Sequence, residues 1–430
     1  MKTYRHRWIP LAVAFSLSSA AFADVAVLKN DRGELAFGGM GQLLGFGQIV
    51  DDPVKNNDRV YLFLKEARLR ASGRYDDFRF HLELAVGGED TIVAPTPGVS
   101  LGLLDFSADL PLRMLSNAYV KVGQFKVPYG RERLAYSGYF QFADRSVQDL
   151  GFKVGRDVGA TVNLRPGHFT LIGGVFTAGG RDIPATRYLP EKLGIPLFVV
   201  RAGIGNLDED PYELHQNDLD VKTLKSAFFV NGLYTKDSAI GHSTALNVKL
   251  ADKSVLLDNT WNPYIGQAPL QQGIWWQYGA DAAVRSPIAS GRGTFSGEAE
   301  FNYGGYSNSY GSLHMLGGRA QGGVYFKPIE VAIRYSFLLP QGNFSNGGFP
   351  ITVNRAIQEV TPAVTYYIHG HQMKVVADLP VLINVPLFNE TGVGTYVGTE
   401  LPAEAAVLAR GGNVTRRTVV EGRLMFQVLF

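Results

Sequence analysis

The sequence predicts an all-β protein, a transmembrane antiparallel β-barrel of about sixteen strands with one connection folded inward. Three observations predict this class. Apolar and polar side chains alternate along many short segments, short and long connections alternate between those segments, and the last segment, TVVEGRLMFQVLF, ends on Phe430. Because successive side chains of a strand point to opposite faces, a closed ring of such strands presents one face to lipid and the other to a lumen.

The N-terminus predicts export. Three basic residues precede an apolar run from Trp8 to Phe22, and Ala21-Phe22-Ala23 has the small-x-small pattern of a cleavage site. Residues 1–23 are therefore predicted to be a secretory signal peptide, cleaved before Asp24, which leaves residues 24–430 as one barrel domain. A membrane anchor is the alternative for the apolar run, but the run is shorter than the roughly 20 residues of a spanning helix.

Composition excludes several classes of protein. The chain has 41 Lys and Arg against 39 Asp and Glu, and removal of the three signal-peptide bases leaves a nearly neutral mature chain. This balance indicates no nucleic-acid partner. The absence of Cys excludes a disulfide scaffold and cysteine-ligated metals. The 50 Gly, 20 Tyr and 26 Phe are typical of tight turns and of the aromatic rims of a barrel.

The first clear hairpin lies in RVYLFLKEARLRASGRYDDFRFHLELAV, residues 59–86. A tight turn at Asp76-Asp77 is predicted to join its two strands. The residues of one parity are predicted to face lipid: Tyr61, Phe63, Ala67, Leu69 and Ala71. The residues of the other parity are predicted to face the lumen: Glu66, Arg68, Arg70, Ser72 and Arg74. In the second strand Arg79, His81 and Glu83 continue the polar face.

Connections of two lengths follow each other along the rest of the chain. Tight turns are predicted at 111–112, 166–167, 236–241, 287–291, 327–328 and 369–370, and long connections at 51–58, 87–99, 127–156, 179–225, 251–274, 304–315, 340–356 and 380–417. This alternation is expected of an outer-membrane barrel, which has periplasmic turns on one rim and long loops on the other. Both termini would lie at the periplasmic rim. The terminal strand is predicted to close against ELAFGGMGQLLGFGQIV, residues 34–50.

Two other classes were weighed against the barrel. A soluble secreted β protein would pack its apolar faces against each other, and nothing would make its turns alternate in length. A barrel enzyme would need a Ser-His-acid cluster near a rim, for which the sequence offers no convincing pair, and no nucleophile-elbow, P-loop or zinc-helix motif is present. His369-Gly370-His371 lies in a predicted turn without a third ligand nearby in sequence, so no metal or cofactor is predicted.

The stretch from Asn117 to Ser146 is the most distinctive. A strand ends near Lys126, and the long polar and aromatic connection after it, residues 127–156, is predicted to fold into the lumen and narrow the pore. The runs VGQFKVPYGRERL, FADRS, GRDVGA and RLRASGRYDDFRFHLEL resemble the phosphate-selective porin O and P family of Gram-negative outer membranes. This resemblance implies a sixteen-stranded, trimeric porin embedded in outer-membrane lipid, in which inward basic residues draw anions to a constriction.

Eleven basic residues are candidates for that site. Those on the early strands are Arg68, Arg70, Arg74, Arg79 and Lys121, and those in or beside the inserted loop are Lys126, Arg131, Arg133, Arg145, Lys153 and Arg156. Arg and Lys supply both charge and hydrogen bonds to phosphate oxygens. The alternative is that several of them pair with carboxylates and pin the loop to the wall: Glu66, Glu83, Glu132, Asp144 and Asp149. For Arg133, Arg145 and Arg156 the two roles have equal weight.

The later strands carry Asp281, Glu298 and Glu300 at lumen positions, so the predicted lumen has acidic as well as basic residues. A dedicated phosphate channel would be predominantly basic. The sequence therefore leaves two solute classes open within the porin reading: anions, including phosphate, or small hydrophilic solutes in general.

Overall fold

The computed structural model describes residues 25–51, 58–88, 101–115, 117–152, 154–178, 195–207, 210–236, 273–288, 293–308, 311–346, 349–390, 394–397 and 413–430. The predicted signal peptide, residues 1–23, lies outside this part of the chain, as does Lys153. No helix in the described residues has the length and apolar character needed to cross a membrane.

The described residues form one antiparallel sheet. Its strands are β1 Val25–Lys29, β2 Gly33–Val50, β3 Arg59–Tyr75, β4 Phe78–Gly88, β5 Gly102–Pro111, β6 Ala118–Lys126, β7 Arg156–Leu164, β8 Phe169–Phe176, β9 Leu197–Gly205, β10 Lys225–Lys236, β11 Gly273–Pro287, β12 Thr294–Asn308, β13 Gly311–Phe326, β14 Ile329–Asn346, β15 Phe349–Asn354, β16 Ile357–His369, β17 Met373–Asp378, β18 Val381–Glu390, β19 Gly394–Val397 and β20 Asn413–Leu429. Between β6 and β7 lie α1 Arg131–Leu134, a 3₁₀ turn Ser137–Tyr139, and α2 Val147–Gly151.

These segments make sixteen barrel strands. Segments β15 and β16 form one strand because both pair with β14, and β17 and β18 form another because both pair with β20. The short β1 and β19 pair at the margins with β2 and β18. The barrel closes where β20 pairs with β2, from Met40 opposite Leu429 to Val50 opposite Val419. The sixteen-stranded antiparallel barrel and its predicted closure are confirmed.

Side chains alternate across the wall as the sequence predicts. On β14, Val331 and Ile333 are 58% and 59% exposed on the outer face, whereas Glu330 and Arg334 are buried in the lumen. On β20, Leu424 faces out in the same way. Because the apolar faces point outward and are not packed against a second sheet, the fold is not that of the soluble alternative.

A bulge in β3 corrects the predicted faces of its first half. Gln42 of β2 pairs with Glu66, but the next residue, Leu43, pairs with Leu64, so Lys65 is an extra residue. A one-residue insertion reverses the faces of the residues on its far side. Tyr61 and Phe63 therefore pack against a cluster inside the barrel, and Val60, Leu62 and Leu64 are the exposed residues. The prediction that Tyr61 and Phe63 face lipid was wrong.

The predicted alternation of connection lengths also needs correction. The 179–225 connection contains strand β9, which pairs with β10. On its other side β10 pairs along its length with β11, and the predicted turn at 236–241 lies, apart from Lys236, outside the described residues. A long segment, residues 206–224, thus follows β9 at the rim that carries Phe430, called here the terminal rim. At the opposite rim, β12 and β13 are separated only by residues 309–310, because both strands extend through the predicted 304–315 loop. Strands also run into the predicted 340–356 and 380–417 loops.

Candidate functional site: the lumen and its two inserted segments

The chain turns into the lumen directly after β6. Gly130 has φ 70°, a backbone conformation that favours glycine, and a Cβ there would lie 2.9 Å from a carboxylate oxygen of Glu300 on β12. The loop backbone thus reaches the opposite wall within a few residues of leaving β6. Residues 127–155, called here the inserted loop, are largely buried inside the barrel.

Glu132 connects the two halves of the inserted loop to the wall. Its carboxylate accepts hydrogen bonds from the backbone N–H of Ser146 at 2.9 Å and from the Ser146 hydroxyl at 2.5 Å. The same carboxylate lies 3.5 Å from the Arg319 guanidinium on β13 and 3.7 Å from the Arg334 guanidinium on β14. Glu132 is 1% exposed, so these contacts are made away from bulk water.

Other anchors are spread around the barrel. Lys65, the bulge residue of β3, donates to the carbonyl oxygen of Ala143 at 2.6 Å and contacts Asp144 at 3.1 Å. Lys374 of β17 donates to the carbonyl of Phe140 at 2.7 Å. Further bonds join Gln427 of β20 to Gly138, Glu359 of β16 to Val147, and Glu298 of β12 to Arg131. The loop is therefore held on many sides of the lumen and not by one hinge.

Two ionisable groups of the inserted loop show its electrostatics. Burial raises the pKa of Asp144, but the positive charges of Lys65 and Arg423 outweigh it, so the pKa of Asp144 lies below its ordinary value. Burial lowers the pKa of Arg133 to about 10, although its ion pair with Asp149 opposes the shift. Both groups are charged at neutral pH.

A second segment enters the lumen from the terminal rim. Residues 210–218, called here the rim strap, lie between β9 and β10 and run beneath the inserted loop. The backbone N–H of Tyr136 donates to Leu214 at 3.0 Å, and the N–H of Leu214 donates to Leu134 at 3.3 Å. His215 stacks on Tyr139, with ring centroids 3.7 Å apart. The two segments thus form a single bonded layer.

The rim strap is also anchored to the wall. The Tyr212 hydroxyl lies 2.8 Å from the Thr161 hydroxyl and donates to Asn163 at 2.7 Å, both on β7. On the far side, Asn217 donates to Glu330 of β14 at 2.6 Å, and Arg285 of β11 donates to the carbonyl of His215 at 2.6 Å. No sequence pattern predicted this segment, since it has no periodicity and follows a strand, β9, that was not predicted.

A cavity of about 360 Å³ remains between the rim strap and strands β2 to β6. Its basic lining residues are Arg70, Arg74, Arg79, Lys121 and Lys126, and its acidic ones are Glu34, Asp105, Asp109, Asp210 and Glu213. Arg74 and Arg79 are exposed at the terminal rim, whereas Arg70 and Lys126 are buried at the inner end. We refer to this cavity as the passage.

Four of the five predicted wall residues line the passage, namely Arg70, Arg74, Arg79 and Lys121, whereas Arg68 does not. Arg68 lies 2.9 Å from Glu66 and 3.6 Å from Glu83, and Arg70 lies 3.6 Å from Glu213. Lys121 contacts Asp109 at 3.0 Å, and Arg79 contacts the same carboxylate at 3.5 Å. Arg74 donates to the backbone carbonyl of Asp76 at 3.4 Å. Arg68 and Arg70 also lie over the Tyr136 ring.

The predicted residues of the loop region have different surroundings. Lys126 donates to the carbonyls of Leu134 and Ala135, Arg131 binds Glu298 at 2.9 Å, and Arg133 pairs with Asp149 within the loop. Arg156 binds Asp105 at 2.9 Å and Glu83 at 2.8 Å. The Arg145 guanidinium lies 4.8 Å from the Phe140 ring centroid, and its Nε has no hydrogen-bond partner in the described part of the chain. Lys153 is not among the described residues.

The acids of β11 and β12 are compensated by arginines that the sequence analysis did not single out. Asp281 pairs with Arg201 at 2.6 Å, and Glu298 lies within 3.0 Å of Arg285 and Arg319. Other wall cations missed were Lys65, Arg334, Lys374 and Arg423. The lumen parity of Arg334, Lys374 and Arg423 was visible in the sequence, whereas Lys65 shares the parity that was predicted to face lipid. The partners of these cations lie on distant segments.

One described group has the composition of a metal site. Donor atoms of His81, Glu83 and Asp105 lie within 4.8 Å of one another. Arg156 binds both carboxylates of this group. Together with Arg68, which lies 3.6 Å from Glu83, it places two guanidinium charges against the two carboxylates.

Comparisons with known proteins agree with this geometry. Residues 44–189 match the family model described as phosphate-selective porin O and P, which confirms the resemblance over that part of the chain. A sequence comparison with curated proteins finds no match.

Solved structures share the fold over almost the whole chain. An anion-selective porin from Comamonas acidovorans has 10% identity and a TM-score of 0.54, covering 93% of this chain and 100% of its own. OmpT, an outer membrane protein of Vibrio cholerae in its trimer form, has 10% identity and a TM-score of 0.51, with the same coverage. The outer membrane channel DcaP of Acinetobacter baumannii has 11% identity and a TM-score of 0.50, covering 94% and 100%. At these identities the likeness concerns the fold.

Proposed function

We propose that this protein is an outer-membrane porin, which lets small hydrophilic solutes diffuse passively through a lumen narrowed by the inserted loop. The observation that carries the proposal is the anchored loop inside a closed barrel, with a charged passage left beside it. The porin O and P match over residues 44–189 supports the same function. The proposal is of a channel and not of an enzyme.

The passage favours a weak preference for anions over a dedicated phosphate site. Arg74 and Arg79 are exposed bases at its mouth, where they attract anions. Arg79, Arg70 and Lys121, however, each lie within 4 Å of a carboxylate. A phosphate ion would have to compete with these carboxylates for its donors, so tight binding is not expected.

We also propose that the barrel works as a homotrimer with its terminal rim in the periplasm. The porin O and P resemblance implies the trimer, and one structural relative, OmpT of Vibrio cholerae, is described in a trimer form. Cross-linking of the purified protein in detergent, followed by mass measurement, tests the assembly; a monomer alone would contradict it.

The reversal potential in a planar bilayer under a KCl gradient tests the function. Folded wild-type protein should form channels whose reversal potential is displaced modestly toward that of chloride, and added phosphate should leave the current largely unblocked. Arg74→Gln combined with Arg79→Gln should reduce the displacement, because both bases line the mouth. Lys222→Gln combined with Lys327→Gln is the matched control, since both side chains are exposed and neither lines the passage.

Three outcomes would overturn the proposal in different ways. Folded protein without channels would refute the porin function. Strong phosphate block would replace the weakly selective passage by a specific binding site. If the Arg74 and Arg79 double variant is indistinguishable from the Lys222 and Lys327 double variant, the mouth of the passage is not part of the conduction path.

A further inference from the structure

The rim strap places acidic residues against the basic wall of the passage. Asp210 and Glu213 belong to the strap, and both line the passage. A Glu213 carboxylate oxygen lies 3.6 Å from the Arg70 guanidinium, and the other lies 3.9 Å from the His81 ring. The Glu213 side chain is 25% exposed, so it is both supported by the wall and accessible from the passage.

The backbone that carries Glu213 is held on both sides. Tyr212 is bonded to Thr161 and Asn163 of β7, and Leu214 is bonded in both directions to the inserted loop. Glu213 is the residue between these two anchors. Its charge is therefore fixed in position and does not move with a mobile loop.

Glu213 is also ionised under ordinary conditions. Burial raises its pKa, but the positive charges of Arg70, His81 and Lys126 together outweigh burial and leave the pKa of Glu213 below its usual value. A carboxylate of this kind keeps its negative charge at neutral pH.

A fixed negative charge beside a narrow passage opposes the entry of anions and favours cations, and the effect is large only where few ions screen it. We infer that Glu213 of the rim strap is a selectivity-determining residue of the passage, which offsets the wall bases and keeps the channel weakly selective. This inference rests on the proposed porin function. It assigns the charge balance of the lumen to a segment that enters from the terminal rim and not to the inserted loop alone.

The test is the chloride-to-potassium permeability ratio of Glu213→Gln, measured from reversal potentials at low salt. The ratio should rise about tenfold, because the Boltzmann factor of about three for a unit charge at about 6 Å in water raises the chloride permeability and lowers the potassium permeability. Glu213→Asp, which keeps the charge, should stay close to wild type. Asp77→Asn removes the same charge from the exposed β3–β4 turn at the terminal rim, outside the passage, and serves as the matched control.

A second measurement separates an electrostatic role from a structural one. Single-channel conductance at 1 M KCl, where the screening length is about 3 Å, should be the same in Glu213→Gln and wild type. If the substitution merely loosened the rim strap and widened the lumen, this conductance would rise together with the change in ratio. That result would overturn the inference.

The remaining outcomes also test the selectivity role of Glu213. If Glu213→Gln does not fold, Asp210→Asn provides the same test with a smaller rise, because Asp210 lines the passage and is exposed. A ratio equal to that of Asp77→Asn in a variant that conducts would refute the selectivity role and leave the porin function intact. Absence of channels in the wild type would instead refute the porin function.

Discussion

Glu132→Gln should release the inserted loop from the wall. Glu132 is fully buried and lies 3.5 Å from Arg319 and 3.7 Å from Arg334. Removal of one partner of a buried ion pair costs about 3–5 kcal/mol. Here the low end applies, because Arg319 keeps Glu298 at 3.0 Å and Arg334 keeps Glu359 at 2.6 Å. A loss of about 3 kcal/mol corresponds to a roughly 150-fold larger population of loop-open molecules.

Limited trypsin digestion of the folded barrel measures this population. The inserted loop contains Arg131, Arg133 and Arg145, which are buried or half-buried and become cleavable only when the loop opens. When opening is fast relative to cleavage, the cleavage rate follows the open population. Mass spectrometry of the fragments locates the cuts, and Glu132→Gln should be cut in the loop roughly 150 times faster than wild type.

Asp220→Asn is the control for a simple loss of charge. Asp220 pairs with Lys222 in an exposed ion pair, a kind of contact worth about 0–1 kcal/mol. Trypsin should therefore cut the inserted loop of Asp220→Asn at nearly the wild-type rate. If Glu132→Gln is cut as slowly as Asp220→Asn, the reasoning that Glu132 holds the loop is refuted.

Three further predictions concern packing, closure and pH. Gly151→Ala should lower the free energy of unfolding, measured with denaturant, by about 1–3 kcal/mol, because the new Cβ would overlap the side chains of Leu338 and Met315. Gly155→Ala is the control and should lower it little, because a Cβ at Gly155 meets open space. Equal losses of unfolding free energy in the two variants would contradict this prediction. Deletion of Phe430 removes the backbone hydrogen bonds to Gly39 at 2.6 and 2.9 Å, so the yield of heat-modifiable, closed barrel on electrophoresis should fall, and an unchanged yield would show that this rim contact is dispensable. The depressed pKa of Asp144 means that its contribution to loop stability is complete above the unfolded pKa of about 4 and is lost as pH falls through the lower folded pKa. Pepsin cleavage of the loop should therefore accelerate below about pH 4, and Asp144→Asn should flatten that dependence; a parallel acceleration in the variant would assign it to other groups.

Much of the site was predictable in kind but not in pairing. The five candidate bases on the early strands were found because strand parity places them in the lumen, and four of the five line one passage. The alternative pinning role of the carboxylates was also visible, but not which base each would meet. Glu132 contacts Arg319 and Arg334, which lie nearly two hundred positions further along the chain, and no local pattern encodes such a contact.

Two features had no usable signal. The bulge at Lys65 is a single extra residue inside a regular alternation, and it became apparent only from the register between β2 and β3. The rim strap lacks periodicity, and its strand β9 lay inside a segment interpreted as one long loop.

The sequence by itself determined the barrel, its closure at Phe430 and most of its outer and inner faces, because the two-residue period of a strand is set by covalent geometry. The first half of β3 is the exception, since the bulge at Lys65 reverses its faces. Tertiary structure alone decided how the lumen is filled. Closing sixteen strands into a ring brings residues from distant segments within hydrogen-bond distance, and the buried charges are paired there according to proximity in space. The inserted loop, the rim strap and the passage between them are products of that closure.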